Sequence, residues 1–271
     1  MNYPAEKFSF SELKELLDEK YEEYNNQTFI EHDPVSVPHL FTKKEDIEIA
    51  GFISASLAWG QRSQILRSAK KLMQMMDYAP YDFITHATKK ELDPFRSFIY
   101  RTFNGDDCRF FVLSLRNIYL EHQGLEKIFT SAFKQYGDLS PAIESFRNVF
   151  LKTPHLHRCE KHIASPLKNS ACKRINLFLR WMIRSDDSHV DFGIWKEIPP
   201  NKLYCPLDVH TGHIARELGL LKIKTNNWPA VEMLTDALKK FDPQDPVKYD
   251  FALFGLGINK LICSKIQYNK L

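Results

Sequence analysis

The stretch CPLDVHTGHIARELGL (Cys205–Leu220) decides how this chain is read. Asp208 follows Pro206 and stands where a side-chain oxygen caps a helix. Ile214, Leu218 and the following Leu221 then recur at helical intervals, and Gly219, or a position shortly after it, ends the run. Working outward, the same three- to four-residue period returns on both sides. No segment alternates apolar and polar residues for more than a few positions, so the sequence predicts an all-α protein.

Ser9 and Glu12 have capping-box spacing before a helix over Phe10–Tyr24, whose stripe is Leu13, Leu16, Leu17 and Tyr21. Thr42 and Glu45 repeat the pattern and predict a helix through Ile47, Ala50, Ile53 and Leu57 towards Trp59, closed by Gly60. Further helices are expected over Gln61–Met76, Arg109–Tyr119, Gly124–Tyr136 and Leu139–Phe150. Asp245 and Pro246 read as the cap and first position of a last one. With 271 residues, 44% of them hydrophobic, the chain is long enough for a sizeable core and too apolar for a disordered one.

The longest near-apolar run, Ile49–Trp59, is far short of the roughly 20 residues that a membrane span needs. Five cysteines (Cys108, Cys159, Cys172, Cys205, Cys263) are scattered without CxxC pairs, which predicts reduced thiols and a cytoplasmic protein. Net charge is only +3, but it is unevenly spread: twelve acidic against five basic residues over 1–48, and seven basic against the single Glu160 over Arg158–Arg184. In that basic segment the charges interleave with Phe178 and Trp181, a pattern suited to a polyanion.

Ser170 is the expected cap of a helix over Lys173–Ile183, with Lys173 at its third position. Lys173, Arg180 and Arg184 are spaced by seven and four and fall within roughly 20° of one line on such a helix, a cationic stripe able to meet phosphates. The field at a helix N-terminus favours a carboxylate such as Asp208 and disfavours an ammonium such as Lys173, opposite effects that suit opposite jobs.

Several of these segments together resemble the helix-hairpin-helix (HhH-GPD) DNA glycosylases, and most closely the archaeal 8-oxoguanine glycosylases. CPLDVHTGHIARELGL is similar to the family's block around an essential aspartate, here Asp208. GFISASLAWGQRSQI (Gly51–Ile65) is similar to an early helix ending in a glutamine turn near the lesion, here Gln61 followed by Arg62, and DFALFGLGINKLIC (Asp250–Cys263) to the closing helix. The matching catalytic lysine is Lys173, 35 residues before Asp208. The segment SPLKNSACK departs from the family in lacking an L-P-G-x-G hairpin, and of the four-cysteine cluster in some relatives only Cys263 remains, so no iron–sulfur cluster or other cofactor is expected.

The resemblance implies a two-lobed fold around a central helical barrel: residues 1–45 packing with the C-terminal lobe, 46–204 forming the barrel, and 205–271 forming that lobe. It implies a monomeric, nucleoid-associated repair enzyme that acts on double-stranded DNA containing a damaged base. Lys173 and Asp208 are the expected catalytic pair. DNA contacts are expected from Trp59, Gln61, Arg62, Ser170, Arg174, Arg180, Trp181, Arg184 and His210, with Trp59 or Trp181 stacking on the extruded base and Gln61 filling its place. The missing hairpin glycines also fit an alternative, a nucleic-acid-binding protein that keeps the fold without turnover. Separately, His155, His157, Cys159 and His162 lie within eight residues and have zinc chemistry, but no paired ligands stand at finger spacing and no metal is expected.

Overall fold

The computed structural model describes residues 8–257, so Cys263 and the end of the closing helix lie outside the described residues. Among these residues the protein is all-α. Its only extended pairing is an isolated bridge between Tyr100 and Phe103. The helices run α1 (Phe10–Tyr24), α2 (Gln27–His32), α3 (Lys44–Leu57), α4 (Arg62–Met75), α5 (Pro80–His86), α6 (Gly105–Glu121), α7 (Leu125–Tyr136), α8 (Leu139–Phe150), α9 (Lys173–Ile183), α10 (Val209–Glu217) and α11 (Trp228–Lys239), with a further helical stretch over 249–257. No helix among them is long and apolar enough to cross a membrane.

The core is organised on α3, which is buried at every position from Ile47 to Leu57. A helix covered on all sides needs neighbours on all sides, and α3 packs against α9, α4, α5 and the short 3₁₀ turns Pro34–Ser36 and Pro38–Leu40. Its small residues allow this. A Cβ placed on Gly51 would lie 3.1 Å from Met182 Cε and 3.5 Å from the Phe178 ring, so glycine is what lets α9 approach closely. Around this contact Phe52, Phe111, Phe146, Phe150 and Phe178 form edge-to-face and stacked pairs.

Helix α1 begins with the expected reciprocal box between Ser9 and Glu12. It lies against the C-terminal part of the chain: Phe10 stacks on Phe241, the Tyr249 hydroxyl donates to Asp18 at 2.8 Å, and a Cβ on Gly255 would collide with the Tyr24 ring at 2.1 Å. Two other caps differ from expectation. Helix α3 starts after Lys43 with no side-chain cap, so Thr42 and Glu45 form no box. Asp245 caps nothing, because its carboxylate is taken by the Arg184 guanidinium, a stronger charge-assisted partner than a backbone amide.

Glu48 is the one buried acidic side chain of α3, only 2% exposed. Tyr119 of α6 donates its hydroxyl to Oε2 at 2.7 Å and the Trp195 indole donates to Oε1 at 2.8 Å. Burial outweighs these two donors and pushes the carboxyl up to about 7 from its ordinary 4.5. The folded protein therefore holds a proton that the unfolded chain has released, so this contribution to stability is complete below pH 4.5 and is lost as pH rises through 7. Glutamine reproduces the protonated acid, its amide donating to the Tyr119 oxygen and its carbonyl accepting from Trp195. Glu48→Gln is expected to remove this pH dependence and to stabilise the protein by about 3 kcal/mol at pH 8 and negligibly at pH 4.5, measured by urea denaturation across that range.

Candidate active site

Helix α9 does not start as the sequence suggests. Cys172 turns into the left-handed region (φ 50°), the Ser170 hydroxyl accepts from Cys172 N at 3.3 Å, and Lys173 becomes the first helical residue. Ser170 thus shapes the turn before the helix rather than capping it. From this first turn Lys173 Nζ reaches 3.5 Å from the Ala58 carbonyl at the end of α3 and 3.9 Å from Asp208 Oδ2. The side chains are 26% and 37% exposed, so both remain open to solvent.

Asp208 is held from two directions. As the cap of α10, its Oδ1 accepts from His210 N at 2.9 Å and Thr211 N at 3.0 Å, leaving Oδ2 turned towards the amine. Its carbonyl accepts from Asn226 Nδ2 at 2.7 Å, and Asn226 Oδ1 in turn accepts from Arg216 Nη2. Gly212 makes room for this clamp, since a Cβ there would stand 2.6 Å from Asn226 Oδ1.

Two buried carboxylates complete the surroundings and were not singled out from the sequence. Asp250 accepts from Arg180 Nη1, and burial pushes it up to about 6 against the opposing pull of Arg180 and Lys173. Asp33 receives the Val35 N–H at 3.0 Å and is likewise raised by burial, against the positive charges of Arg62, Arg180 and Lys173. Asp33 sits in a Pro-containing link and Asp250 inside an apolar run, so neither carries a local signal of its role.

The expected cationic stripe does not exist as a surface. Arg180 and Arg184 are 3% and 0% exposed. Arg180 pairs with Asp191 and Asp250, and Arg184 with Asp186, Asp191 and Asp245, while also donating to the Tyr21 hydroxyl at 2.8 Å. Both are corrected from DNA contacts to core ion pairs, because acids of the loop after α9 and of the far end of the chain fold over that side of the helix. Trp181 is fully buried and stacks on nothing from outside. Arg174 donates to the Ser56 and Lys161 carbonyls, so its guanidinium is already engaged.

On the open side, Gln61 and His210 are exposed and Arg62 is half-buried with its guanidinium 4.6 Å from the Phe254 ring centroid. Trp59 is half-buried next to Ala58, with the Arg101 guanidinium 4.6 Å over its ring. The His/Cys cluster does not converge. His155 packs on Phe110, His157 points into solvent, Cys159 is buried, and His162 lies 3.4 Å from Asp107. No group of three or more metal-ligating side chains is poised for an ion among the described residues.

An all-α fold with a solvent-open lysine–aspartate pair between α9 and α10 thus defines the molecule's class at the level of structure. The chain belongs to the family described as protein of unknown function (DUF2400), whose family model matches residues 33–259 and so spans Asp33, Lys173, Asp208 and Asp250. Neither the curated proteins nor the solved structures contain a significant match.

The burial of Arg184 separates a structural role from a DNA-binding one. Arg184→Ala leaves Asp186 and Asp245 without their cation and Asp191 with Arg180 alone, and is expected to cost about 3–5 kcal/mol in urea denaturation, whereas Lys173→Ala, at an open position, costs less than about 1 kcal/mol. An Arg184→Ala protein of unchanged stability and weakened DNA binding would restore the surface-stripe reading.

Proposed function

We propose that this protein is a DNA repair glycosylase with an associated lyase step, excising an oxidised purine of the 8-oxoguanine type from double-stranded DNA. The observation that carries the reading is the 3.9 Å approach of Lys173 Nζ to Asp208 Oδ2 with both side chains open to solvent. A primary amine and a carboxylate so placed supply the two things that cleavage of an N-glycosidic bond needs. The carboxylate stabilises the positive charge that develops on the sugar as the base leaves. The neutral amine attacks the anomeric carbon, C1′, while the C1′–N bond breaks and the base departs with that electron pair.

The covalent intermediate then opens its sugar ring. The C1′–O4′ bond breaks, O4′ takes a proton, and an iminium forms between Lys173 and C1′. Loss of a C2′ proton drives cleavage of the C3′–O bond and nicks the strand on the 3′ side; water finally releases the lysine. The only protein groups that the scheme uses are Lys173 and Asp208, and it calls on no cofactor. Residues 1–45, 46–204 and 205–271 as parts of a two-lobed, barrel-centred glycosylase, acting as a monomer on nucleoid DNA in the cytoplasm, belong to the same proposal.

The test is borohydride trapping of the purified protein on duplexes carrying oxidised, alkylated or deaminated bases. A covalent adduct is expected on an oxidised-purine duplex, lost in Lys173→Ala, and base release is expected to fall about 10²–10³-fold in Asp208→Asn. Undiminished trapping by Lys173→Ala would remove the lysine from its role. Salt-dependent DNA binding with neither adduct nor released base on any lesion would put the non-catalytic nucleic-acid-binding reading in its place.

A further inference from the structure

Next along the chain from Ala58, whose carbonyl faces Lys173 Nζ, is Trp59, and over its ring lies an arginine that no motif singled out. Arg101 sits in the turn closed by the Tyr100–Phe103 bridge, in the left-handed region (φ 54°), and is exposed. Its guanidinium carbon stands 4.6 Å over the Trp59 ring. Arg158, Arg174, Arg180 and Arg184 all donate to carbonyls or carboxylates. Arg101 has no hydrogen bond or ion pair among the described residues and is held over the indole by a cation–π contact alone. Such a contact is worth about 0.5–1 kcal/mol at an exposed site, little enough for a ligand to displace.

The indole beneath is built to stay in place. The Tyr100 hydroxyl donates to the Trp59 carbonyl, and the Tyr100 ring packs edge-on against the indole with centroids 5.5 Å apart. Gly60 (φ 109°) leaves the space that the guanidinium enters, since a Cβ there would lie 2.2 Å from Arg101 Nη1. The preceding residue, Ala58, is the one whose carbonyl faces Lys173 Nζ. A fixed aromatic face, covered by a loosely held planar cation, therefore belongs to the residue that follows the one whose carbonyl faces the amine.

We propose that Arg101 is the gate of a nucleotide subsite: in the free protein its guanidinium covers the Trp59 face that a planar base takes up, and when the base arrives it moves off to pair with the phosphate. The exchange keeps a flat group on the ring and is complementary in charge, a planar cation giving way to a planar base while an unneutralised guanidinium gains an anion. This deepens the reading of the protein as a DNA glycosylase and rests on it for the identity of the polymer, but the gate makes its own prediction for the free chain.

The first measurement is acrylamide quenching of tryptophan fluorescence in the ligand-free, full-length protein. Trp181, Trp195 and Trp228 are buried, so quenching reports mainly on Trp59. Arg101→Ala is expected to raise the quenching constant roughly twofold with an unchanged melting temperature, and to have no effect in a Trp59→Phe background, where the covered ring is gone. The second is binding of an oxidised-purine duplex. Arg101→Ala is expected to weaken it roughly tenfold and to lower the slope of log K against log salt by about one, while Arg101→Lys restores the slope but not the protection from acrylamide.

Unchanged quenching in Arg101→Ala, or unchanged affinity and salt slope in a protein that binds the duplex, overturns the gate and leaves the glycosylase reading standing. If the wild-type protein binds no duplex and traps no adduct, that reading falls by itself. The gate is then judged with guanosine monophosphate as the probe. Quenching by the nucleotide that disappears in Trp59→Phe and weakens roughly tenfold in Arg101→Ala sustains it, and no quenching by the nucleotide refutes it.

Discussion

Two buried guanidiniums at the end of α9, Arg180 in its last turn and Arg184 just past it, are the constraint on which the rest of the structure depends. Arg180 and Arg184 lie on one side of a helix whose other positions fill the core, and a charge removed from water must be matched where it stands. Four carboxylates do this: Asp186 and Asp191 just after the helix, and Asp245 and Asp250 from the far end of the chain. The loop after α9 folds back so that Phe192 and Trp195 donate to the Trp181 and Met182 carbonyls, which satisfies the helix terminus and delivers Asp191 to both arginines. Asn25 and Tyr21 of the N-terminal region close the cluster through Asp186 and Arg184.

The cluster locates the amine. Lys173 is in the first turn of the same helix whose last turns are tied to both ends of the chain, so its position relative to α10 follows from rigid elements and not from a loop. Arg180 and Asp250 form the nearest part of that framework to the site, and the raised position of Asp250 reflects the low polarity in which they sit. Asp208 is fixed by separate means, its cap bonds and the Asn226 clamp. The two partners are held independently and meet at the surface, where solvent and a ligand have access to both.

Much of the helical framework was legible locally. The periods of α1, α4, α7 and α8, the Ser9–Glu12 box and the cap at Asp208 depend on neighbours a few residues away, and they appear in the structure as read. The start of α9 did not follow, because the left-handed turn at Cys172 sets it, and neither did the start of α3, whose candidate cap at Thr42 makes no bond. In both cases the packing of the incoming chain overrode a side-chain preference worth about 1 kcal/mol.

The side of a helix on which charges line up is a property of the sequence alone; whether that side meets water or other charges is decided by what folds over it. Lys173, Arg180 and Arg184 illustrate the division, since the same helical spacing puts one in a solvent-open site and the other two among aspartates of the following loop and of the far end of the chain. Sequence determined the helices, the residue types and the cap that holds Asp208. Only the tertiary structure decided that Lys173 reaches Asp208, that Asp33 and Asp250 stand behind them, and that Arg101 lies over Trp59, because Coulombic and stacking contacts act over a few ångströms in space and leave no mark on spacing along the chain.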